Sequence, residues 1–146
     1  MAFSTTSSKV ERIKAGPDSI HALVRELRPY CAHRVLRPFL EAYRVVADQL
    51  ALQPASQPVD RDELVRECLG LGHQYRLQHR VHTADSISRT LFECALRLAE
   101  NRELLDSDAS DCEAERTAFA EEIRSALRRA EAISALAAAR RAGIMH

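Results

Sequence analysis

The sequence predicts an all-α protein: a bundle of about five helices with a long amphipathic C-terminal helix. Apolar residues recur at the i, i+3, i+4 and i+7 positions along most of the chain, which is the spacing of one buried helix face. No segment alternates apolar and polar residues for long enough to indicate a β-strand. The 146 residues suit one domain, and a domain of this size can bury a core without disulfide bonds.

The first predicted helix follows a polar N-terminal segment. Residues 1–16 are expected to be flexible, and residues 17–146 are expected to form a single helical domain. Pro17 lies in the first turn of this helix, where a missing N–H costs little. Pro29 should end or kink the helix. Its buried face is formed by Ile20, Leu23, Val24 and Leu27.

The second predicted helix covers residues 37–50, "RPFLEAYRVVADQL", and precedes a loop with two prolines. Asp60 and Glu63 have the spacing of a capping box, which starts the third helix. Gly70 and Gly72 lie inside the third helix, where each costs roughly 1 kcal/mol relative to alanine. They indicate close helix packing or a break near Leu71. The residues expected to be buried in these two helices are Phe39, Tyr43, Val46 and Leu50, then Leu64, Cys68, Leu71 and Tyr75.

The fourth predicted helix runs from residue 84 to about residue 102, with Thr83 as its N-cap. Apolar residues cover more than half of its circumference, so this helix should be wedged among neighbours. The expected buried residues are Ile87, Leu91, Phe92, Cys94, Leu96 and Leu98, and the expected polar strip is Ser86, Arg89, Glu93, Arg97 and Glu100. The last helix follows the acidic linker "DSDASDCEAE", and its expected buried residues are Phe119, Ile123, Leu127, Ala130, Ile133 and Leu136.

The charge of the chain is balanced overall and uneven locally. Lysine plus arginine and aspartate plus glutamate number 21 each, so no net field favours nucleic acid. Residues 100–122 contain nine acids and two arginines, whereas residues 123–146 contain five arginines and one acid. No stretch approaches the roughly 20 apolar residues of a membrane span, and the N-terminus lacks the apolar core of a signal peptide. We therefore expect a cytoplasmic protein that does not bind nucleic acid.

The histidines and cysteines do not have the spacing of a metal or cofactor site. His73, His79 and His82 are close in sequence, but the chain has no His-Glu-x-x-His motif and no Glu-x-x-His motif. Surface or capping roles are expected for these histidines. The cysteines are widely spaced without a Cys-x-x-Cys pair, so reduced and mostly buried thiols are expected. They are Cys31, Cys68, Cys94 and Cys112.

The basic stretch between residues 69 and 105 offers the one candidate binding site. Arg76, Arg80 and Arg89 could contact phosphate or lipid headgroups. The competing interpretation is a solvated helix edge. No Gly-x-Ser-x-Gly motif and no phosphate-binding glycine loop occurs, so no catalytic residue is predicted.

Two segments carry a resemblance to a known family. They are "LRPFLEAYRVVADQL" at 36–50 and "LVRECLGLGHQYRLQHRVHTADSISRTLFECALRLAENRELL" at 64–105. In order and spacing they resemble the C-terminal region of bacterial glycerol-3-phosphate 1-O-acyltransferases of the PlsB type, over about residues 18–106. In that family the general base is the histidine of a His-x4-Asp motif, and a Glu-Gly pair is associated with glycerol phosphate. This chain contains neither motif, so the resemblance transfers no catalytic residue.

The resemblance implies a non-catalytic helical domain of an enzyme of phospholipid biosynthesis. Its expected partner is the acyltransferase catalytic domain, and an anionic membrane surface is a second candidate partner. The domain would then lie in the cytoplasm, or peripherally at the cytoplasmic face of the inner membrane. The alternative function is a free-standing helical protein-interaction module, such as a homodimer formed through the long last helix.

Overall fold

The computed structural model describes residues 32–106 and 111–144, which contain four α-helices and one short 3₁₀ turn. The helices are α1 (Ala32–Leu52), α2 (Arg61–Leu77), α3 (Arg89–Asn101) and α4 (Cys112–Arg141), and the 3₁₀ turn is Ala84–Ser86. No strand occurs in these residues, so the all-α class is confirmed for them. The predicted flexible segment 1–16 and the predicted helix 17–29 lie outside the described residues.

Helix α1 is longer than predicted. It begins at Ala32 rather than at residue 37, and Pro38 lies inside it. Val46 and Leu50 are completely buried, as expected. The expectation that Phe39 is buried is wrong, because Phe39 is exposed. It lies on the same helical face as Val46 and Leu50, but nearer to the N-terminus of α1, where the other described residues do not cover that face.

Helices α1 and α4 run antiparallel. Arg37 contacts Glu131, Asp48 contacts Arg124, and the Gln53 carbonyl accepts a hydrogen bond from Arg116. Residue numbers therefore rise along α1 as they fall along α4. Helix α2 is also antiparallel to α1, because Gln53 bonds Glu67 whereas the earlier Asp48 bonds Tyr75. The N-terminus of α1 and the C-termini of α2 and α4 thus lie at one end of the bundle.

The long predicted C-terminal helix is present, with 30 residues, but only part of it packs as expected. Phe119, Ile123 and Leu127 are buried in α4, which confirms the prediction for them. Ile133 and Leu136 are exposed, so the prediction that they belong to the core is wrong. They continue α4 toward the end of the bundle where Phe39 is also exposed.

Helix α2 begins and packs as the sequence indicates. The Asp60 side chain accepts a 2.9 Å hydrogen bond from the backbone N–H of Glu63, which is the predicted N-cap. The two glycines do not break the helix. At Gly72 a Cβ would lie 3.3 Å from two side-chain carbons of Ile87, so glycine permits the close approach of the segment before α3. Gly70 faces open space.

The start of α3 differs from the prediction. The Thr83 side chain forms no capping hydrogen bond; instead, the Ser88 hydroxyl accepts one from Leu91 N–H, and α3 starts at Arg89. Ser86, predicted to be on a polar strip, is completely buried. Its hydroxyl bonds Glu41 on α1, a tertiary contact that fixes residues 84–86 as a separate turn.

The buried face of α3 is rotated relative to the predicted one. Phe92 and Leu96 are buried together with Ala95 and Ala99. Leu91, Cys94 and Leu98 are only half-buried. The predicted face was therefore centred too close to these three residues and too far from Ala95 and Ala99. Arg97 and Glu100 are exposed, as expected for the polar strip.

Helices α2, α3 and α4 end in the same hydrogen-bonded motif. One residue after each C-cap has a positive φ: His79 (57°), Glu103 (58°) and Gly143 (72°). The N–H of the next residue reaches back five positions, from Arg80 to Tyr75, from Leu104 to Ala99 and from Ile144 to Ala139. This is the Schellman arrangement, which favours glycine at the positive-φ position. Only α4 has glycine there.

The three described cysteines are free thiols, as predicted. Cys68 and Cys112 are buried, and Cys94 is half-buried. Burial raises the pKa of the Cys68 thiol to about 12, so this sulfur stays protonated at neutral pH. Cys31 lies outside the described residues.

Candidate functional site

The three predicted arginines do not form one site. Arg89 donates hydrogen bonds to Asp62 at 2.7 Å and to Glu93 at 2.9 Å. The hydrogen bond to Glu93, followed by that to Asp62, raises the pKa of Arg89. Asp62 lies in the first turn of α2, and the helical rise separates it from Arg76 by about 21 Å. The structure therefore separates Arg89 from Arg76 and Arg80.

Arg76 and Arg80 remain together at the C-terminus of α2. Arg76 is exposed in the last turn of that helix. The Arg80 guanidinium lies over the Tyr75 ring, 5.3 Å from its centroid, and Arg44 lies 5.4 Å from the same centroid. Neither Arg76 nor Arg80 forms an ion pair with a carboxylate in the described part of the chain. Their charges are therefore available at this surface.

A buried carboxylate on α1 organises the segment between α2 and α3. Glu41 is completely buried. Its Oε1 accepts hydrogen bonds from Arg37 Nε at 3.0 Å and from the His82 N–H at 3.1 Å. Its Oε2 accepts hydrogen bonds from the Thr83 N–H at 3.0 Å and from the Ser86 hydroxyl at 2.7 Å. Four donors from two parts of the chain thus converge on one side chain.

The electrostatics of Glu41 follow from these bonds. Burial alone would raise the pKa of Glu41. The hydrogen bonds from Ser86, from the backbone at His82 and Thr83, and from Arg37 outweigh burial, so the pKa is lowered. A carboxylate held ionised by four donors is a weak proton acceptor and has no free oxygen directed at solvent. This arrangement anchors a loop to α1.

A second carboxylate on α1 joins three helices. The Asp48 side chain accepts a hydrogen bond from the Tyr75 hydroxyl on α2 at 2.8 Å. It also accepts one from Arg124 Nε on α4 at 3.0 Å, and Arg124 Nη2 forms an ion pair with the same oxygen at 2.8 Å. Arg44 Nε lies 3.6 Å from the other Asp48 oxygen. Because each of these bonds requires one relative position of the helices, Asp48 fixes their register.

A buried arginine occupies the opposite end of α4. Arg116 is completely buried, and its Nε donates a 2.8 Å hydrogen bond to the Leu104 carbonyl. Its Nη1 donates to the Gln53 carbonyl at 3.3 Å, and its Nη2 has no hydrogen-bond partner among the described residues. The two carbonyls follow the C-termini of α3 and α1. The guanidinium therefore places positive charge where the helix dipoles are negative.

The three histidines of the basic stretch have separate environments. His82 Nδ1 lies 2.9 Å from Arg37 Nη2, whose N–H can only donate, so Nδ1 is the acceptor. His79 occupies the positive-φ position after α2, and His73 is exposed on α2. Within 32–106 and 111–144, no group of three or more His, Cys, Asp or Glu side chains is arranged to hold a metal ion.

Sequence reasoning missed both buried carboxylates, although a signal was present. Glu41 and Asp48 are seven residues apart in "EAYRVVAD", so two helical turns place them on one face. Carboxylates in so apolar a helix are rarely buried unless they are paired. The spacing alone could have indicated a polar seam on α1. The partners from α2, α4 and the loop could not be inferred, because they are distant in sequence.

Comparisons with known proteins show which family the chain belongs to. Residues 8–108 match the family model described as glycerol-3-phosphate acyltransferase C-terminal region. The chain belongs to this family. Proteins named "Putative acyltransferase plsB1" from Mycobacterium bovis and from two strains of Mycobacterium tuberculosis are each 48% identical to it over 107 residues. No solved structure gives a significant match.

The matched region is a small part of these relatives. The 107 aligned residues are 73% of this chain but only 17% of each relative. The resemblance inferred from the two sequence segments is thereby confirmed at the level of the family. Within the described residues, no helix has the combined length and hydropathy that crossing a membrane requires.

Helix α4 lies beyond the family match, which ends at residue 108. It nevertheless completes the core through Phe119, Ala120 and Ile123. It also supplies Arg124, which bonds Asp48 in the matched region. The folded unit of this chain therefore extends past the region that the family model covers.

Proposed function

We propose that this chain is the non-catalytic helical C-terminal domain of a glycerol-3-phosphate 1-O-acyltransferase of phospholipid biosynthesis. In the parent enzyme, acyl transfer to the sn-1 hydroxyl of glycerol 3-phosphate takes place on a preceding catalytic domain. The observation that carries the proposal is the family match over residues 8–108. That match corresponds to a C-terminal region, and the aligned part is 17% of the length of the relatives.

The geometry of the polar side chains supports a packing role. Glu41, Asp48 and Arg116 are buried and use their hydrogen bonds to join helices and loops. None of the three has the exposure that a group reacting with a substrate needs. The sequence also lacks the His-x4-Asp motif that acyl transfer requires in this family. The proposed partner is therefore the acyltransferase catalytic domain, at the cytoplasmic face of the inner membrane.

A domain exchange tests this role. The C-terminal region of the 48%-identical Mycobacterium tuberculosis relative is replaced by this chain, and acyl transfer to glycerol 3-phosphate by the chimera is measured. We expect activity from the chimera and little from the relative truncated before this region. A chimera that is folded but no more active than the truncated protein would contradict the proposal.

The isolated chain provides the complementary measurement. Purified protein is incubated with labelled glycerol 3-phosphate and either acyl-CoA or acyl carrier protein bearing an acyl chain. We expect no lysophosphatidate, because the sequence lacks the His-x4-Asp motif whose histidine is the general base in this family. Saturable product formation that scales with the protein concentration would show that the domain is itself catalytic.

A further inference from the structure

The formal charges of the bundle are unequal at its two ends. We define the basic end as residues 33–41, 73–86 and 128–144, which the antiparallel pairing of α1 with α2 and α4 brings together. These residues contain eight arginines and three acids. The remaining described residues contain eight arginines and fourteen acids. The balanced net charge therefore conceals a basic end and an acidic remainder.

Exposed apolar side chains concentrate at the same end. Among the described residues, eight large hydrophobic side chains are exposed, and only Leu52 lies away from the basic end. The other seven come from α1, from α2 and from α4 with the turn that follows it. They are Val35, Leu36, Phe39, Leu77, Ile133, Leu136 and Ile144. Exposed apolar side chains are therefore most frequent in the ranges that also carry the excess of arginine.

Leu77 is the most exposed of these side chains, at 83%. It is the last residue of α2, and it lies between Arg76 and the turn that carries His79 and Arg80. The Schellman bonds from His79 to Arg76 and from Arg80 to Tyr75 hold this turn in place. An exposed leucine beside two guanidiniums that have no carboxylate partner among the described residues combines an apolar contact with cationic ones at one point of the surface.

We infer that the basic end is a docking surface for an anionic membrane, with Leu77 entering the headgroup region and Arg76 and Arg80 contacting lipid phosphates. The inference deepens the proposed function and rests on it for the site of action. Cationic residues around apolar side chains fit an anionic bilayer surface, where each arginine strengthens binding about fivefold. The acidic remainder is repelled by the same surface, so the charge distribution also sets the orientation of the domain.

Vesicle co-flotation of the 146-residue chain tests the inference. The probes are vesicles of phosphatidylcholine alone and vesicles that also contain phosphatidylglycerol, each at low and at high salt. We expect the wild type to bind the anionic vesicles at low salt, and salt to weaken that binding. Arg76→Gln combined with Arg80→Gln should reduce binding about 25-fold. Leu77→Ser should reduce it on the order of tenfold.

Matched substitutions away from the basic end provide the control. Leu52→Ser removes a leucine that is also highly exposed, at 73%, and Arg66→Gln with Arg97→Gln removes two exposed arginines. These variants should bind within about twofold of the wild type. Equal losses from both sets, or equal binding to neutral and anionic vesicles, would overturn the inference.

The competing occupant of this end is the catalytic domain, which is the partner named in the proposed function. If Leu77→Ser leaves vesicle binding unchanged but lowers the activity of the chimera, the surface binds protein and the membrane assignment is overturned. If vesicle binding is absent while the chimera is active, the docking inference fails and the proposed function stands. If the protein binds vesicles but the chimera is inactive, the docking inference stands and the proposed function fails.

Discussion

The Tyr75 hydroxyl donates a 2.8 Å hydrogen bond to the buried carboxylate of Asp48, a residue 27 positions earlier in the chain. Arg124 bonds the other oxygen of the same carboxylate. Burial, and after it the bond to Asp48, raises the pKa of Tyr75, so the phenol remains a donor at neutral pH. One side chain of α1 thereby holds α2 and α4 against it.

Tyr75→Phe should therefore lower the free energy of unfolding by about 1–2 kcal/mol, because Asp48 loses a buried donor while the ring is retained. Urea denaturation monitored by circular dichroism measures the change. Tyr43→Phe is the control, since the half-buried Tyr43 hydroxyl bonds none of the described residues. It should cost less than about 0.5 kcal/mol. Equal effects would mean that the Asp48 bond adds no stability.

Arg116→Met should destabilise the protein by about 2–4 kcal/mol, because the Leu104 and Gln53 carbonyls lose charged donors in a buried site. The methionine keeps much of the apolar volume of the arginine side chain. Urea denaturation again provides the measurement, with the exposed Arg128→Met as control. An unchanged or increased stability of Arg116→Met would mean that burying the charge costs as much as its hydrogen bonds return.

His79→Gly and Glu103→Gly should each stabilise the protein, by about 0.5 kcal/mol. Both residues have a positive φ, which costs a residue with a Cβ roughly 1 kcal/mol, and glycine removes this cost. Part of the gain in stability is offset because glycine has more conformational freedom in the unfolded chain. Thermal and urea unfolding measure the difference. His73→Gly changes the same residue type inside α2 and should destabilise by about 0.5 kcal/mol. If His73→Gly and His79→Gly changed the free energy of unfolding in the same direction, the explanation would be disproved.

The lowered pKa of Glu41 predicts how stability depends on pH. The unfolded chain binds this proton first, near the ordinary glutamate value of 4.5. The stabilisation from Glu41 is therefore complete above that pH, and it is lost as the pH falls through the lower folded pKa. Glu41→Gln should cost about 3 kcal/mol at pH 7 and should flatten the acid limb of the stability curve.

The control for Glu41 is an exposed carboxylate whose pKa is also lowered. The hydrogen bond from Arg102 lowers the pKa of Glu122, but water screens this pair. Glu122→Gln should therefore leave both the stability at pH 7 and the slope of the acid limb nearly unchanged. If Glu41→Gln keeps the wild-type acid limb, other carboxylates cause the acid sensitivity.

The helices near the middle of the chain were predictable because their signals are local. The Asp60 cap depends on a residue three positions away, and the close packing at Gly72 follows from a missing side chain inside an apolar helix. The start of α3 was not predictable in the same way. Thr83 and Ser88 are both good N-caps, and the choice between them depends on Ser86 and Glu41, which are 45 positions apart.

The sequence by itself determined the helical class, the middle helices and the family, because periodicity, caps and motif order are all properties of neighbouring residues. Only the tertiary structure decided which surfaces are free. Arg89 is paired with Asp62 while Arg76 and Arg80 are not, and Phe39 and Ile133 are exposed although their helical phase matches that of buried neighbours. Helical phase fixes the direction of a side chain. Whether another helix lies in that direction depends on where distant segments end, which no local pattern encodes.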